Sequence, residues 1–375
     1  MSQRDSGHLP GRRRFNLGAM ALIMAPLAAR AQPAGDSPHR ELYIYQGADR
    51  DARIAAEGRK QGQVVVYTSL NLKDSVPLGE AFEKRTGIKV SLWRASSEKV
   101  LQRAVTEARA GRFAPDILET NGPEVEALYR EKLLEPFYSP NFKDLPAAAF
   151  PKHRHYVADR FNFFTIGYNT NLVKPEEVPK SYEELALPRW NGRVGIEASD
   201  VDWFGAMVKS MGQGAAPSGT GSYEKGLAFF RKLAENKPQI RTGHTLMAEL
   251  LASGEIPLCA TIYNHNVERL TVKGAPCRWK ALTPTFGRPN AIGVCKRAPH
   301  PHAALAFADF MLSKEGQTII KERNRVPASL SVDTHLNKFP FQMIDPVITL
   351  DENDRWEKIW SELFLKGQKL KKEEE

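Results

Sequence analysis

Residues Val64–Val90 read "VVVYTSLNLKDSVPLGEAFEKRTGIKV". The opening "VVVYTSL" is short, β-branched and almost wholly apolar, the pattern of a strand buried on both faces of a parallel sheet. From Asp74 to Arg85 the apolar residues Val76, Leu78 and Phe82 recur at helical spacing, and Gly87 stops the helix. "IKVSLW" then starts a second strand. Strand, helix and strand in this order make a parallel crossover, so the fold class is α/β.

The pattern continues on both sides. Upstream, "DRDARIAAEGRKQG" predicts a short helix closed by Gly62. Downstream, Ser96-Ser97 offer an N-cap to a helix reaching Gly111, with Val100, Leu101, Ala104, Val105 and Ala108 as its buried face. "DILET" is a third strand, and Gly122-Pro123 open a helix through Tyr129. This alternation is that of a doubly wound sheet, in which ligands bind where loops converge at the carboxyl ends of the strands. Those loops are "TSLN" (68–71), "WRASS" (93–97) and "ETNGP" (119–123). Each is rich in hydroxyl or amide groups and leads into a helix N-terminus, a place that favours anions. The same residues also read as plain helix caps.

After "DLPAAAFPKHRH" (144–155) a second series of elements begins with the apolar strand "FNFFTIGYNTNLV". "WNGRVGIEASDVDWFGAMVKSMG" predicts a strand, an acidic loop and a helix ended by Gly212. "YEKGLAFFRKLAENKP" is an amphipathic helix, and "TGHTLMAELLASGEIPLCATIY" a turn, a helix and a buried strand. "RPNAIGVCKRAPHPHAALAFADFMLSKEGQTII" adds a strand and one long helix. The chain therefore reads as two α/β lobes with polar strand ends in both.

Bulk properties narrow the function. With 375 residues, 42% hydrophobic and 26% charged, the chain suits two domains. Residues 1–31 have a basic start, an apolar segment from Leu17 to Ala29 and the small-x-small site Ala29-Arg30-Ala31, an export signal cleaved after about Ala31. Arg12-Arg13-Arg14-Phe15 fits the twin-arginine pattern. Export places the mature protein in the periplasm. The first 31 residues hold five arginines and one acid, so the formal +9 becomes +5 without them. That mild charge, with no basic stripe, argues against nucleic acid as a partner. Cys259, Cys277 and Cys295 lack zinc-ligand spacing and leave both one disulfide and three buried thiols open. "HRH" (153–155) and "HPH" (300–302) look metallic, but the first has no third ligand nearby in sequence and the second flanks the proline at a helix start as solvated first-turn residues.

In this order, and behind an export signal, the segments resemble the periplasmic solute-binding proteins of ABC importers, in the ferric-iron-type group. The resemblance rests on Val64–Val90, on "EKLLEPF" (131–137), on "WNGRVGI" (190–196) and on "LSKEGQTIIKERNRVP" (312–327). It implies a type II periplasmic-binding-protein fold: two lobes, each a mixed sheet flanked by helices, joined by two hinge strands near Phe161–Gly167 and Arg288–Val294. One lobe would hold residues 41–160 plus 288–375, and the other 161–287. The implied role is to capture a solute and deliver it to an inner-membrane permease with its ATPase, as a monomer and not as an enzyme.

The stretch "ATIYNHNVERL", Ala260–Leu270, bears on the ligand. In the ferric branch two consecutive tyrosines hold iron at the matching segment, with a histidine near the first strand and a glutamate near the third. Here those places are taken by Asn264-His265, Asn71 and Asn121, and only Tyr263 offers a phenol, one place early. Asparagine supplies no anionic oxygen for a hard trivalent ion, but its amide both donates and accepts in a polar pocket. His265 would add a cationic donor if its pKa were raised. The expected ligand is thus a small polar, anionic organic molecule, with iron held by Tyr263 and a synergistic anion as the alternative. No metal or cofactor is assigned. Candidate ligand-binding residues are Tyr67, Ser69, Asn71, Arg94, Ser96, Ser97, Asn121, Asp202, Trp203, His244, Thr245, Tyr263, Asn264 and His265. Arg94 would clamp an oxyanion, and Trp203 would stack on the ligand or plug the gap between lobes.

Overall fold

The computed structural model describes residues 37–212 and 223–366, so the expected export signal lies outside the described residues. In chain order the strands are β1 (Gln63–Thr68), β2 (Lys89–Arg94), β3 (Ile117–Asn121), β4 (Leu134–Glu135), β5 (Val157–Asn169), β6 (Val194–Glu197), β7 (Gln239–Arg241), β8 (Leu258–Tyr263), β9 (Cys277–Lys280), β10 (Phe286–Cys295), β11 (Val326–Pro327) and β12 (Gln342–Met343). All join one sheet, whose main path runs β2-β1-β3-β10-β5-β8-β6-β7. At one end β1 pairs in parallel with β2 and β3, and at the other β6 pairs in parallel with β7 and β8. The long strands β5 and β10 run antiparallel between them. The parallel blocks are as the crossover pattern predicts. The antiparallel centre makes the sheet mixed.

Local sequence explains the blocks. The helix Leu72–Thr86 follows β1 and is capped by Asn71, whose side chain accepts from Lys73 N–H at 3.3 Å. It stops at Gly87, whose φ of 77° is one that only glycine adopts without strain. Leu78 and Phe82 are buried beneath it, while Val76 is exposed. The predicted single helix after β10 is instead two, Pro301–Leu312 and Lys314–Glu322. Ser313 takes an extended backbone between them, and its hydroxyl caps the second by accepting from Gly316 N–H.

Strand β5 feeds two cores. Phe161 and Phe163 pack with Phe82 and Phe307. Phe164 and Ile166 pack with Trp190, Trp203 and Phe204. The helix Pro346–Trp360, near the C-terminal end, lays Trp356 and Trp360 into this second core, although its sequence position falls within the stretch expected in the first lobe. Trp360 also donates its indole N–H to the carbonyl of Ala198 at 2.7 Å. On its other flank Asp351 pairs with Arg130 of the helix Gly122–Arg130. All three cysteines are buried free thiols.

Trp360 is fully buried, so Trp360→Ala should cost about 3–5 kcal/mol in urea denaturation. A loss under about 1 kcal/mol would mean that the terminal helix contributes little to the second core.

Candidate functional site

The carboxyl ends of β1, β2, β3, β6 and β8 open on a cavity of about 490 Å³. Its wall includes ten of the predicted residues: Ser69, Asn71, Arg94, Ser96, Ser97, Asn121, His244, Thr245, Tyr263 and His265. The other four do not line it. Tyr67 alternates with Val66 and Thr68 along β1, so its ring faces the core around Val100 and Leu118. There its hydroxyl donates to Glu107 at 2.9 Å, and burial with that carboxylate pushes its pKa up to about 12. Trp203 has no exposed surface and meets the Phe230 ring edge-on at 5.5 Å, a core role and not a stacking platform. Asn264 is buried and donates to the carbonyl of Leu336 at 2.7 Å. Asp202 contacts Arg288 instead of the cavity.

The floor comes from the two central strands. Arg160 and Asn162 lie two apart on β5, and Arg288 and Asn290 two apart on β10, so each Arg-x-Asn places both side chains on one face. Asn162 donates to Asn290 at 2.6 Å, and Asn290 donates to Asn121 at 2.5 Å. This amide chain links three strands across the cleft. Arg160 donates to Glu119 at 2.5 Å and to Asp159 at 3.0 Å. Arg288 donates its Nε to Asp202 at 2.6 Å, a second nitrogen to the same carboxylate, and Nη1 to the Tyr263 hydroxyl. Signals for these four residues were present, since a charge or an amide inside an otherwise apolar strand needs a partner.

Arg325, after the last predicted helix, also reaches the cavity. Its only carboxylate partner among the described residues is Asp74, at 2.7 Å, and Asp74 also serves Arg269 at 3.1 Å. Burial, together with nearby Arg160 and Arg269, lowers the pKa of Arg325 despite Asp74. Arg325 is therefore short of counter-charge, yet it stays protonated.

His265 departs from expectation. Burial, then Arg325 and Arg269, push its pKa well below the ordinary value. It is a neutral imidazole. Arginine can only donate, so Nε2 of His265 accepts from Arg325 at 2.8 Å. Tyr263 is neutral too, because burial raises its pKa more strongly than Arg288 lowers it.

On the opposite wall, Glu197 ends β6 and accepts from Ser199 N–H at 2.8 Å, the Ser199 hydroxyl at 2.7 Å and Gly243 N–H at 2.8 Å. Gly243 has φ of 98°, a turn that needs glycine and starts the helix His244–Ser253. His244 stacks on Tyr263 with ring centroids 3.6 Å apart, and its Nε2 lies 3.1 Å from Asp200. The two metallic-looking motifs are engaged elsewhere. His153 contacts Glu126 at 3.0 Å, and His300 contacts Asp116 at 2.9 Å.

The depressed pKa of His265 has a pH consequence. Its folded value lies below the unfolded value near about 6.5, so the unfolded chain binds the additional proton. Stability then falls as pH drops through that window, by up to about 1.4 kcal/mol per pH unit for this one group. His265→Gln should flatten the fall in urea denaturation between about pH 7 and 5. An unchanged slope would mean that His265 is not held neutral.

A family model for bacterial extracellular solute-binding proteins matches residues 78–340. Iron uptake protein A1 of Synechocystis sp. is 29% identical over 298 residues, covering 74% of this chain and 79% of that protein. A putative 2-aminoethylphosphonate-binding periplasmic protein of Salmonella typhimurium is 26% identical over 253 residues, 65% of this chain and 70% of that one. Among solved structures, iron-bound HitA from Pseudomonas aeruginosa superposes with a TM-score of 0.68 at 20% identity, over 80% of this chain and 99% of its own. The periplasmic binding protein AfuA from Actinobacillus pleuropneumoniae gives a TM-score of 0.69 at 19% identity, over 82% and 99%. These structural likenesses carry the type II periplasmic-binding-protein fold.

Proposed function

The chain belongs to the family of bacterial extracellular solute-binding proteins, and we propose that its cleft captures a small anionic organic solute, a carboxylate or phosphonate. Members of this kind are the periplasmic solute-binding components of ABC importers, so the partner is an inner-membrane permease. The observation that carries the ligand class is Arg325: a half-buried guanidinium on the cavity wall that shares its one carboxylate with Arg269. An incoming oxyanion would supply the missing counter-charge, and the amides of Asn121, Asn162 and Asn290 would add neutral hydrogen bonds. The relative named for an aminophosphonate supports this class.

In this reading β5 and β10 are the hinge strands between two lobes that close over the solute. The first lobe holds residues 41–160 plus 288–345 and the second 161–287. The terminal helix Pro346–Trp360 goes with the second lobe, because its tryptophans pack there. Residues 1–31 are the export signal, cleaved after about Ala31, and the mature chain acts as a monomer.

Relatives named for iron support a ferric reading instead. Against it, the one phenol on the cavity, Tyr263, is buried, neutral and already bound by Arg288. A ferric site prefers anionic oxygen.

A thermal-shift screen of the mature protein with organic acids, phosphonates and ferric salts tests the reading. A bound acid or phosphonate at about 100 times its Kd should stabilise the fold by about 2.7 kcal/mol. Arg325→Gln should weaken that ligand by about 10- to 100-fold, the worth of a charge-assisted hydrogen bond. A response to ferric ion alone, or full affinity in Arg325→Gln, would overturn the proposal.

A further inference from the structure

We propose that Glu197, Asp200 and His244 form a site for a divalent cation of the zinc or manganese kind, in the wall of the cleft. The three come from the end of β6, the loop after it and the first turn of the helix His244–Ser253. One ligand atom from each lies within 4.8 Å of the other two, the only such trio of His, Cys, Asp or Glu among the described residues. His244 Nε2 and Asp200 Oδ1 are already 3.1 Å apart, the separation of two ligands on one ion with bonds of about 2.0–2.2 Å. Glu197 has to draw closer to complete the shell.

Two further observations point to a cation. Asp200 is fully buried, and its Oδ2 has no hydrogen-bond partner; the Nδ1 of His244 likewise has none. The positive charge nearest them is already committed, since Arg288 is held by both oxygens of Asp202 and by the Tyr263 hydroxyl, with Asp200 only a 3.5 Å contact.

The surroundings resemble those of a built site. Ser199 and Gly243 orient Glu197 through three hydrogen bonds, and stacking on Tyr263 fixes the His244 ring. Such outer contacts set the direction of metal ligands. One imidazole with two carboxylates suits zinc, manganese or ferrous iron, whereas calcium and magnesium prefer an all-oxygen shell. Ferric ion would call on a phenolate, and Tyr263 is not one. Open coordination positions would remain for water or for an oxygen of the solute.

The test needs no organic ligand, so it is independent of the proposed solute. Chelator-treated protein is dialysed against zinc, manganese, calcium, magnesium or ferric citrate, and bound metal is measured by mass spectrometry and calorimetry. Expected is one zinc or manganese per chain, with affinity reduced at least tenfold in both Asp200→Asn and His244→Gln. His302→Ala, on the unrelated histidine pair, should leave it unchanged. Circular dichroism melts establish that each variant is folded, and Glu197→Gln replaces any that is not. Absence of stoichiometric divalent metal overturns the site, as does retention of metal in both folded variants. Ferric binding with a tyrosinate colour lost in Tyr263→Phe also overturns it.

Discussion

Two arginines buried in the strands that run through the middle of the molecule constrain everything around them. Arg160 and Arg288 are almost fully enclosed. Removing a guanidinium from water costs several kcal/mol, which only well-placed carboxylates offset. Those carboxylates come from other elements: Glu119 from β3 for Arg160, and Asp202 from the helix Val201–Gly212 for Arg288. Each pair therefore locks a central strand to a flanking element, and the cleft floor inherits that order. Breaking either pair by removing one partner would leave a buried charge, a change of about 3–5 kcal/mol.

The cleft built on this floor is electrically lopsided. Arg160 meets two carboxylates and Arg288 is held by both oxygens of Asp202, whereas Arg325 shares Asp74 with Arg269. Across the cavity Glu197 and Asp200 are crowded carboxylates with one histidine between them. A solute-binding protein gains selectivity from such unfinished pairings, because a molecule lacking the matching charge leaves buried groups unpaired. The amide chain Asn121–Asn290–Asn162 is different in kind. It is neutral, internally bonded and spans three strands, so it positions groups without demanding charge.

Much of the frame was legible in the residues. The Val64–Val90 crossover, the stop at Gly87, the cap at Asn71 and the polar strand ends all follow local rules that tertiary packing did not override. Reading failed where a side chain's direction depended on a distant partner. Tyr67, near the end of β1, and Trp203, in the first turn of the helix Val201–Gly212, look like ligand groups, but the pleat turns Tyr67 into the core and an apolar cluster takes in Trp203. His265 looks like a cation until Arg325, sixty residues later, takes its nitrogen. The helix after β10 breaks at Ser313 because that serine caps a new helix better than it continues the old one.

The sequence by itself determined the α/β class, the polar strand ends that open on the cavity and the absence of the family's tyrosine pair, since periodicity, capping and residue identity are local properties. The tertiary structure decided which charges meet. Glu119, Asp202 and Asp74 lie 41, 86 and 251 residues from Arg160, Arg288 and Arg325, and Coulomb energy depends on distance in space. Only folding sets that distance, so only the fold reveals which arginine must share its carboxylate.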